Sequence, residues 1–275
     1  MYIIAGQSNA AGLAGVHDTA NYFSPGTLYP RVHVYGIYGA PAAVVNKDRG
    51  EQYRTVDWSA MATWGPARPG YGSKDLNHYQ TIKPGATTAD LYDLFGPELG
   101  FAAFLEHRHP HDHYLLKLAI GGTTLADDWK PGSYLYNELL EMVADAYNSI
   151  RDEVNLRIAG VFWMQGESDA LDYSHATAYH ANLGAFIRSL RHAVAEMGCP
   201  SARYDFPFII GQIEDNRVWT YRSVVVAAQQ SVGADFRMVG IVDTDSLARV
   251  DAVHFGEAGQ YALGSRLYSA FFGLR

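Results

Sequence analysis

Ser8, Asp251 and His254 are the residues of this chain whose types and spacing suit acyl transfer. A serine hydroxyl is a weak nucleophile at neutral pH and needs a positioned base. An imidazole can be that base, and a carboxylate can hold its tautomer and stabilise the imidazolium. In Asp251-Ala252-Val253-His254 the acid and the base lie three positions apart, so one loop can supply both. The serine stands in Gly6-Gln7-Ser8-Asn9, where a glycine permits a tight turn and close approach of a substrate. Ser and Asn are also good helix N-caps, so this block alone is equally consistent with a capping serine.

Two further blocks could hold a developing oxyanion. The turn Gly121-Gly122-Thr123-Thr124 can aim a backbone N–H into a crevice, although Gly-Gly is also common in plain strand-to-loop turns. In Trp163-Met164-Gln165-Gly166-Glu167-Ser168-Asp169 the Gln165 amide could be a second donor or a structural group. Glu167 competes with Asp251 as the carboxylate partner of His254, or braces the loops. The local spacing of Asp251 to His254 favours Asp251.

These residues need a scaffold that gathers them. Short apolar runs rich in β-branched and aromatic residues cover 2–5, 32–38, 114–120, 157–164, 206–213 and 238–242. Amphipathic helical patterns cover 97–107, 134–151, 176–197, 219–232 and 257–272, the first with a proline at its N1 position. Strand and helix alternate, which predicts an α/β fold with a doubly wound, mainly parallel sheet. The four candidate groups then fall at the carboxyl ends of strands, where such sheets bind ligands. The stretch 39–94 is rich in Gly, Pro, Tyr, Trp and Asp and weakly periodic; it reads as an insertion beside the site, within a single domain over 1–275.

Composition limits the alternatives. Hydrophobic residues make up 48% of the chain and charged ones 18%, as in ordinary globular proteins. The net charge is −8 with no basic stripe, which argues against nucleic acid and anionic membranes as partners. No apolar run is long enough to span a bilayer. The lone Cys199 permits no internal disulfide and reads as a buried or loop thiol. The first residues read as a strand without a signal-peptide pattern, so the expectation is a cytoplasmic protein, or a secreted one if a leader has been removed.

Taken together, Gly6-Gln7-Ser8-Asn9, Gly96-Pro97-Glu98, Gly121-Gly122-Thr123-Thr124-Leu125-Ala126 with Trp129, Gln165-Gly166-Glu167-Ser168-Asp169 and Asp251-x-x-His254 resemble, in order, the blocks of the SGNH hydrolases. The resemblance is to the sialate O-acetylesterase and acetylxylan esterase branch. It implies a flavodoxin-like sheet and deacetylation of an acetylated carbohydrate, with no cofactor. It carries the nucleophile onto Ser8, the base onto His254 and the acid onto Asp251. The oxyanion donors map onto the N–H groups of Ser8 and Gly122 and the Gln165 side chain. Met164 stands where the family more often has His or Tyr, and Ala10 where it has Met; both bear on substrate more than on catalysis.

Other readings are a carbohydrate-binding protein on an esterase scaffold, and an acyltransferase or thioesterase with the same triad. The G-x-S-x-G elbow of α/β-hydrolases is disfavoured, because here the serine follows the first strand. His107, His109, His111 and His113 alternate around Pro110 and read as surface histidines, not a metal site. Trp129 is a weak candidate for sugar contact; Tyr53, Trp58, Trp64, Tyr71 and Tyr79 of the insertion receive no individual role.

Overall fold

The computed structural model describes residues 1–17, 21–48, 50–198 and 205–274, so Cys199 lies outside the described residues. A seven-stranded sheet runs in the order β4-β3-β6-β1-β7-β8-β9. Its central strand is β1 (Tyr2–Gly6), paired in parallel with β6 (His113–Ala119) and β7 (Gly160–Met164). On one side of this trio β8 (Phe208–Gly211) and β9 (Val239–Val242) continue the parallel array. On the other side lie β3 (Tyr29–Gly36), parallel to β6, and the edge strand β4 (Thr63–Ala67), antiparallel to β3. A separate antiparallel pair joins β2 (Ala14–Gly15) to β5 (Leu94–Phe95).

The period-2 alternation of a strand sends its side chains to two faces, and here both are buried. Ile3, Ala5, Leu116, Val161, Trp163 and Phe208 point to one face. That face is covered by α5 (Tyr134–Ile150), α6 (Tyr173–Glu196) and α7 (Arg222–Asp235). Tyr2, Ile4, Leu115, Phe162 and Ile209 point to the other. There they meet Phe101 and Leu105 of α4 (Pro97–Arg108) and Leu263, Leu267 and Phe271 of α8 (Glu257–Gly273). The chain is thus the doubly wound, mainly parallel α/β fold expected from the alternation of patterns. No helix of the described residues is long and apolar enough to cross a membrane.

Between β3 and α4, the segment 39–94 supplies α2 (Trp58–Met61), β4 and α3 (Leu76–Ile82). β4 contains Gly65 and Pro66, and an edge position tolerates a residue that cannot donate to the ladder. The aromatics of this segment are packing residues: Tyr53, Trp58, Tyr71 and Tyr79 are buried, and the Trp64 indole donates to Ser149 Oγ at 2.9 Å.

One charged pair sits inside the core. Lys117 lies on β6 beside Ile4, and its ammonium reaches Glu98 Oε2 of α4 at 2.6 Å and the carbonyl of Ala11 at 2.7 Å. Glu98 Oε1 accepts from the N–H of Gly96 at 2.9 Å. Burial pulls the Lys117 pKa down, and the Glu98 carboxylate opposes that pull. The Ala11 carbonyl closes α1 (Ser8–Ala11), so the pair anchors the first turn after β1.

The winding reverses between β1 and β7: the chain leaves β1 toward the β3 side of the sheet and leaves β7 toward the β8 side. A crevice therefore opens at the carboxyl end of β1, between the loops that follow β6 and β7.

Candidate active site

Ser8 enters that crevice because of the residues around it. Gly6 has φ +142°, and a Cβ there would stand 2.0 Å from the Met164 carbonyl oxygen, so the turn out of β1 demands glycine. Gln7 is buried and ties this turn to the loop after β7. Its N–H donates to Met164 O at 2.9 Å, and its Oε1 accepts from Ser168 N–H at 3.3 Å. Ser8 then opens α1 and lines a cleft of about 300 Å³ together with Gly122, His78, His254, Leu171 and Trp219.

The loop after β9 carries Asp251 and His254. Asp251 Oδ1 accepts from the N–H groups of Val253 and His254 at 2.8 and 2.7 Å, which folds the four residues into a tight turn. Its Oδ2 is 2.7 Å from His254 Nδ1. Burial alone would raise the Asp251 pKa. Hydrogen bonds from His254 and His78 and the charge of His254 outweigh it and hold the carboxyl well below the usual carboxylate range. An ionised Asp251 fixes the proton on Nδ1 and leaves Nε2 as the basic nitrogen. Ser8 and His254 share the cleft without a hydrogen bond between them.

Asn9, next to Ser8, holds the three loops together. Its Nδ2 donates to Glu167 Oε1 and to Val253 O, both at 3.1 Å, and its Oδ1 accepts from Phe255 N–H at 3.1 Å. Glu167 meets Asn9 in this way and makes no hydrogen bond to His254. Its Oε2 is buried without a hydrogen-bond partner among the described residues. Burial pushes its pKa up to about 7; its own amide and Asn9 pull the other way, and Asp169 and Glu214 add to the rise. A carboxyl whose pKa is higher folded than unfolded binds more protons in the native state, so stability falls as pH climbs between about 4.5 and about 7. Glu167→Gln should therefore match the wild type at pH 4 and exceed it by about 3 kcal/mol at pH 8. Urea unfolding at the two pH values checks this; equal differences at both would refute it.

The oxyanion candidates separate. Gly122 adopts φ +72° at the mouth of the cleft, and neither its N–H nor that of Ser8 meets an acceptor among the described residues. Its neighbour Gly121 donates instead to Asp48 O at 2.9 Å, which holds the turn. Asp48 is itself buried, and burial raises its pKa to about 6 against the bonds from Lys74 N–H and Ser73.

Gln165 corrects the sequence expectation. It is fully buried, and its Nε2 serves Asp169 Oδ2 at 2.6 Å, Thr123 O at 3.0 Å and Gln7 Oε1 at 3.3 Å. With two N–H bonds directed at three acceptors, no donor faces the cleft. Asp169 also receives the N–H groups of Leu125 and Ala126, so this pair shapes the loop after β6 from behind. Trp129 is the second correction. It has no exposed surface, donates to Thr123 Oγ1 at 2.9 Å and packs edge-on against Trp163. A side chain so enclosed supports the turn and cannot touch a sugar.

Sequence reasoning passed over three contributors. Asn9 could have been suspected from its place beside Ser8. Asp48 and His78 offered no signal, because their partners lie far along the chain. His78 is delivered by α3, whose start Asp75 caps by accepting from His78 N–H at 2.9 Å. Its Nε2 lies 3.3 Å from Asp251 Oδ2. His78, Asp251 and His254 bring ligand-type atoms within 4.8 Å of one another, but their mutual hydrogen bonds account for that spacing and none is assigned as a metal ligand. Of the alternating histidines, His109 reaches Tyr268 OH at 2.8 Å and stacks on Phe272, far from the cleft in the fold.

A family model described as carbohydrate esterase, sialic acid-specific acetylesterase, matches residues 1–273. A probable carbohydrate esterase of Arabidopsis thaliana, At4g34215, is 30% identical over 180 residues, which are 64% of this chain and 63% of that protein. The X-ray structure of the Arabidopsis protein AT4G34215 superposes with a TM-score of 0.69 at 23% identity, covering 99% of this chain and 97% of the other. The crystal structure of NanS gives 0.71 at 14% identity, with 99% and 96% covered. A carbohydrate acetylesterase from Xanthomonas citri, XAC1771, gives 0.60 at 14% identity over 98% of this chain and 55% of its own. With its SGNH-type α/β fold and a match over nearly its whole length, this chain belongs to the carbohydrate esterases of the sialic acid-specific acetylesterase family, which are carboxylic ester hydrolases.

Proposed function

We propose that the protein removes O-acetyl groups from a carbohydrate through an acyl-enzyme on Ser8. The observation that carries this reading is the Asp251–His254 hydrogen bond of 2.7 Å on the wall of the cleft that Ser8 also lines. His254 Nε2 takes the proton of Ser8 Oγ as that oxygen attacks the acetyl carbonyl. The oxyanion is held by the N–H groups of Ser8 and Gly122, which meet no acceptor among the described residues. Asp251 remains ionised and stabilises the imidazolium. His254 then gives its proton to the departing sugar oxygen, leaving the acetyl group on Ser8. Water, deprotonated by the same nitrogen, releases acetate and restores the serine.

Rapid quenching of the wild type with 4-nitrophenyl acetate or an acetylated sugar, followed by intact-mass measurement, tests the mechanism. One acetyl adduct on the peptide containing Ser8, absent from Ser8→Ala, is the expected result. Acetate release without an adduct, or with an adduct elsewhere, would overturn the acyl-enzyme on Ser8. Binding of an acetylated sugar with no acetate released would favour a binding protein on this scaffold, and transfer of the acetyl group to an added acceptor in place of water would make it an acyltransferase.

A further inference from the structure

The two N–H groups read as oxyanion donors belong to turns after different strands, Ser8 after β1 and Gly122 after β6. Hydrogen bonds through the insertion tie one turn to the other, and Asp48 stands at their middle. Its carbonyl accepts from Gly121 N–H at 2.9 Å. Its Oδ2 accepts from Ser73 Oγ at 2.8 Å and from Lys74 N–H at 2.5 Å. Ser73 N–H in turn donates to the carbonyl of Gly12, the C-cap of α1, at 2.8 Å. The Lys74 carbonyl accepts from Asn46 N–H at 2.9 Å, so segments 46–48 and 73–75 are laced together.

The sheet alone does not hold these turns in place. Its last tie between them is Ile120 N–H on the Gly6 carbonyl at 3.0 Å, and Gly121 is the next residue. A Cβ on Gly121 would lie 3.3 Å from Asp48 O and 3.7 Å from Ser8 Cβ, so this turn packs on both. Gly122 has nothing within 4 Å of where a Cβ would stand. The Asp48 bond holds it from one side, and the Gln165 bond to Thr123 O from the other. The Asp48 side chain is buried, and its Oδ1 has no hydrogen-bond partner among the described residues. Desolvating a carboxyl with one oxygen unpaired costs stability, so packing alone does not account for it.

We propose that Asp48 is a positioning residue that sets the separation of the Ser8 and Gly122 N–H groups, so that one tetrahedral oxyanion meets both. That role rests on the Ser8 acyl-enzyme reading above. Oxyanion donors act at full strength only when they are already in place as the charge develops. The fault from a loosened turn therefore falls on the transition state and spares ground-state binding.

The test compares the wild type with Asp48→Ala and Asp48→Asn on 4-nitrophenyl acetate and with phenylboronic acid. The boron takes up Ser8 Oγ and presents a tetrahedral oxygen where the oxyanion forms. Asp48→Ala should lower kcat about 30-fold with KM within about twofold, and should raise the boronic acid Ki about as much. Asp48→Asn keeps an oxygen for Ser73 and Lys74 N–H and should recover most of both losses. If Asp48→Ala does not fold, Ser73→Ala, which removes one bond to Oδ2, should show the same split at a smaller size. A raised KM with kcat intact, an unchanged Ki, or an asparagine variant as impaired as the alanine one would overturn the proposal.

Amide hydrogen exchange, read by NMR on glycine-labelled protein, follows Gly121 without any turnover. It should quicken about tenfold in Asp48→Ala and return in Asp48→Asn. Unchanged exchange would overturn the role of Asp48 even if activity fell. Boronic acid that inhibits without bonding to Ser8 would instead defeat the acyl-enzyme reading, and the exchange of Gly121 would still decide whether Asp48 holds the turn.

Discussion

Turnover of an acetyl ester should fall by about 10⁶-fold in Ser8→Ala and by about 10⁴-fold in Asp251→Asn, with the fold retained in both. The serine variant has no nucleophile at all. In the asparagine variant an amide N–H would face His254 Nδ1 where Oδ2 now stands at 2.7 Å. The ring would then hold its proton on Nε2 and could not act as a base towards Ser8. Glu167→Gln should lose less than about tenfold, because the amide oxygen can still accept from Asn9 and no bond to His254 is broken. Steady-state kcat/KM for the three variants, with circular dichroism to verify folding, separates the two carboxyls. Asp251→Asn near wild-type activity, together with a severe loss in Glu167→Gln, would transfer the role of triad acid to Glu167.

The second large effect concerns stability. Glu98→Ala should destabilise the protein by about 3–5 kcal/mol, since it strands the Lys117 ammonium in the core. For a chain of this size that corresponds to a fall in Tm of about 10 °C. Activity should decline as well, because Lys117 Nζ holds the Ala11 carbonyl and thereby the turn that carries Ser8. Replacing both partners by apolar residues, Glu98→Leu with Lys117→Met, should recover most of the Tm and little of the activity. Calorimetry and esterase rates on the single and double variants distinguish the outcomes. If the double variant is as unstable as Glu98→Ala, stranded charge is not the cause of the loss.

This pair also gives a physical reason for the Gly96-Pro97-Glu98 block, which the sequence offered only as part of a resemblance. The central strands were legible for a simple reason: Tyr2-Ile3-Ile4-Ala5 and Val161-Phe162-Trp163 are apolar on both faces and short, as strands buried between two helical layers must be. Helix α6 begins at Tyr173, three residues before the apolar pattern, because the Asp172 side chain caps it by accepting from Ser174 and His175 N–H. Strand β4 was illegible, since Gly65 and Pro66 carry no strand propensity and its pairing is imposed by β3.

The loops divided in the same way. Asp251 and His254 were readable because a turn of four residues brings them together by itself. Gln165 was placed correctly at a strand end, but the direction of its amide depends on Asp169 and on the Thr123 carbonyl, neither of which periodicity reveals. Trp129 looked like a sugar platform by type; its burial is decided by Trp163 and Thr123 beneath the turn. His78 lies on a helix of seven residues, and its partner is 173 positions away. Contacts of that range leave no trace in local composition.

The Asn9 bond to the Phe255 amide spans 246 positions, almost the entire chain. Through it, Ser8 and His254 meet only when α8 and the loop before it have docked against the first turn after β1. A chain still emerging from the ribosome, or arrested in refolding with its last helix loose, holds Ser8 without His254 beside it. Completion of the cleft is in this sense a late property of the molecule, conferred by the closing of a loop that takes in nearly the whole chain.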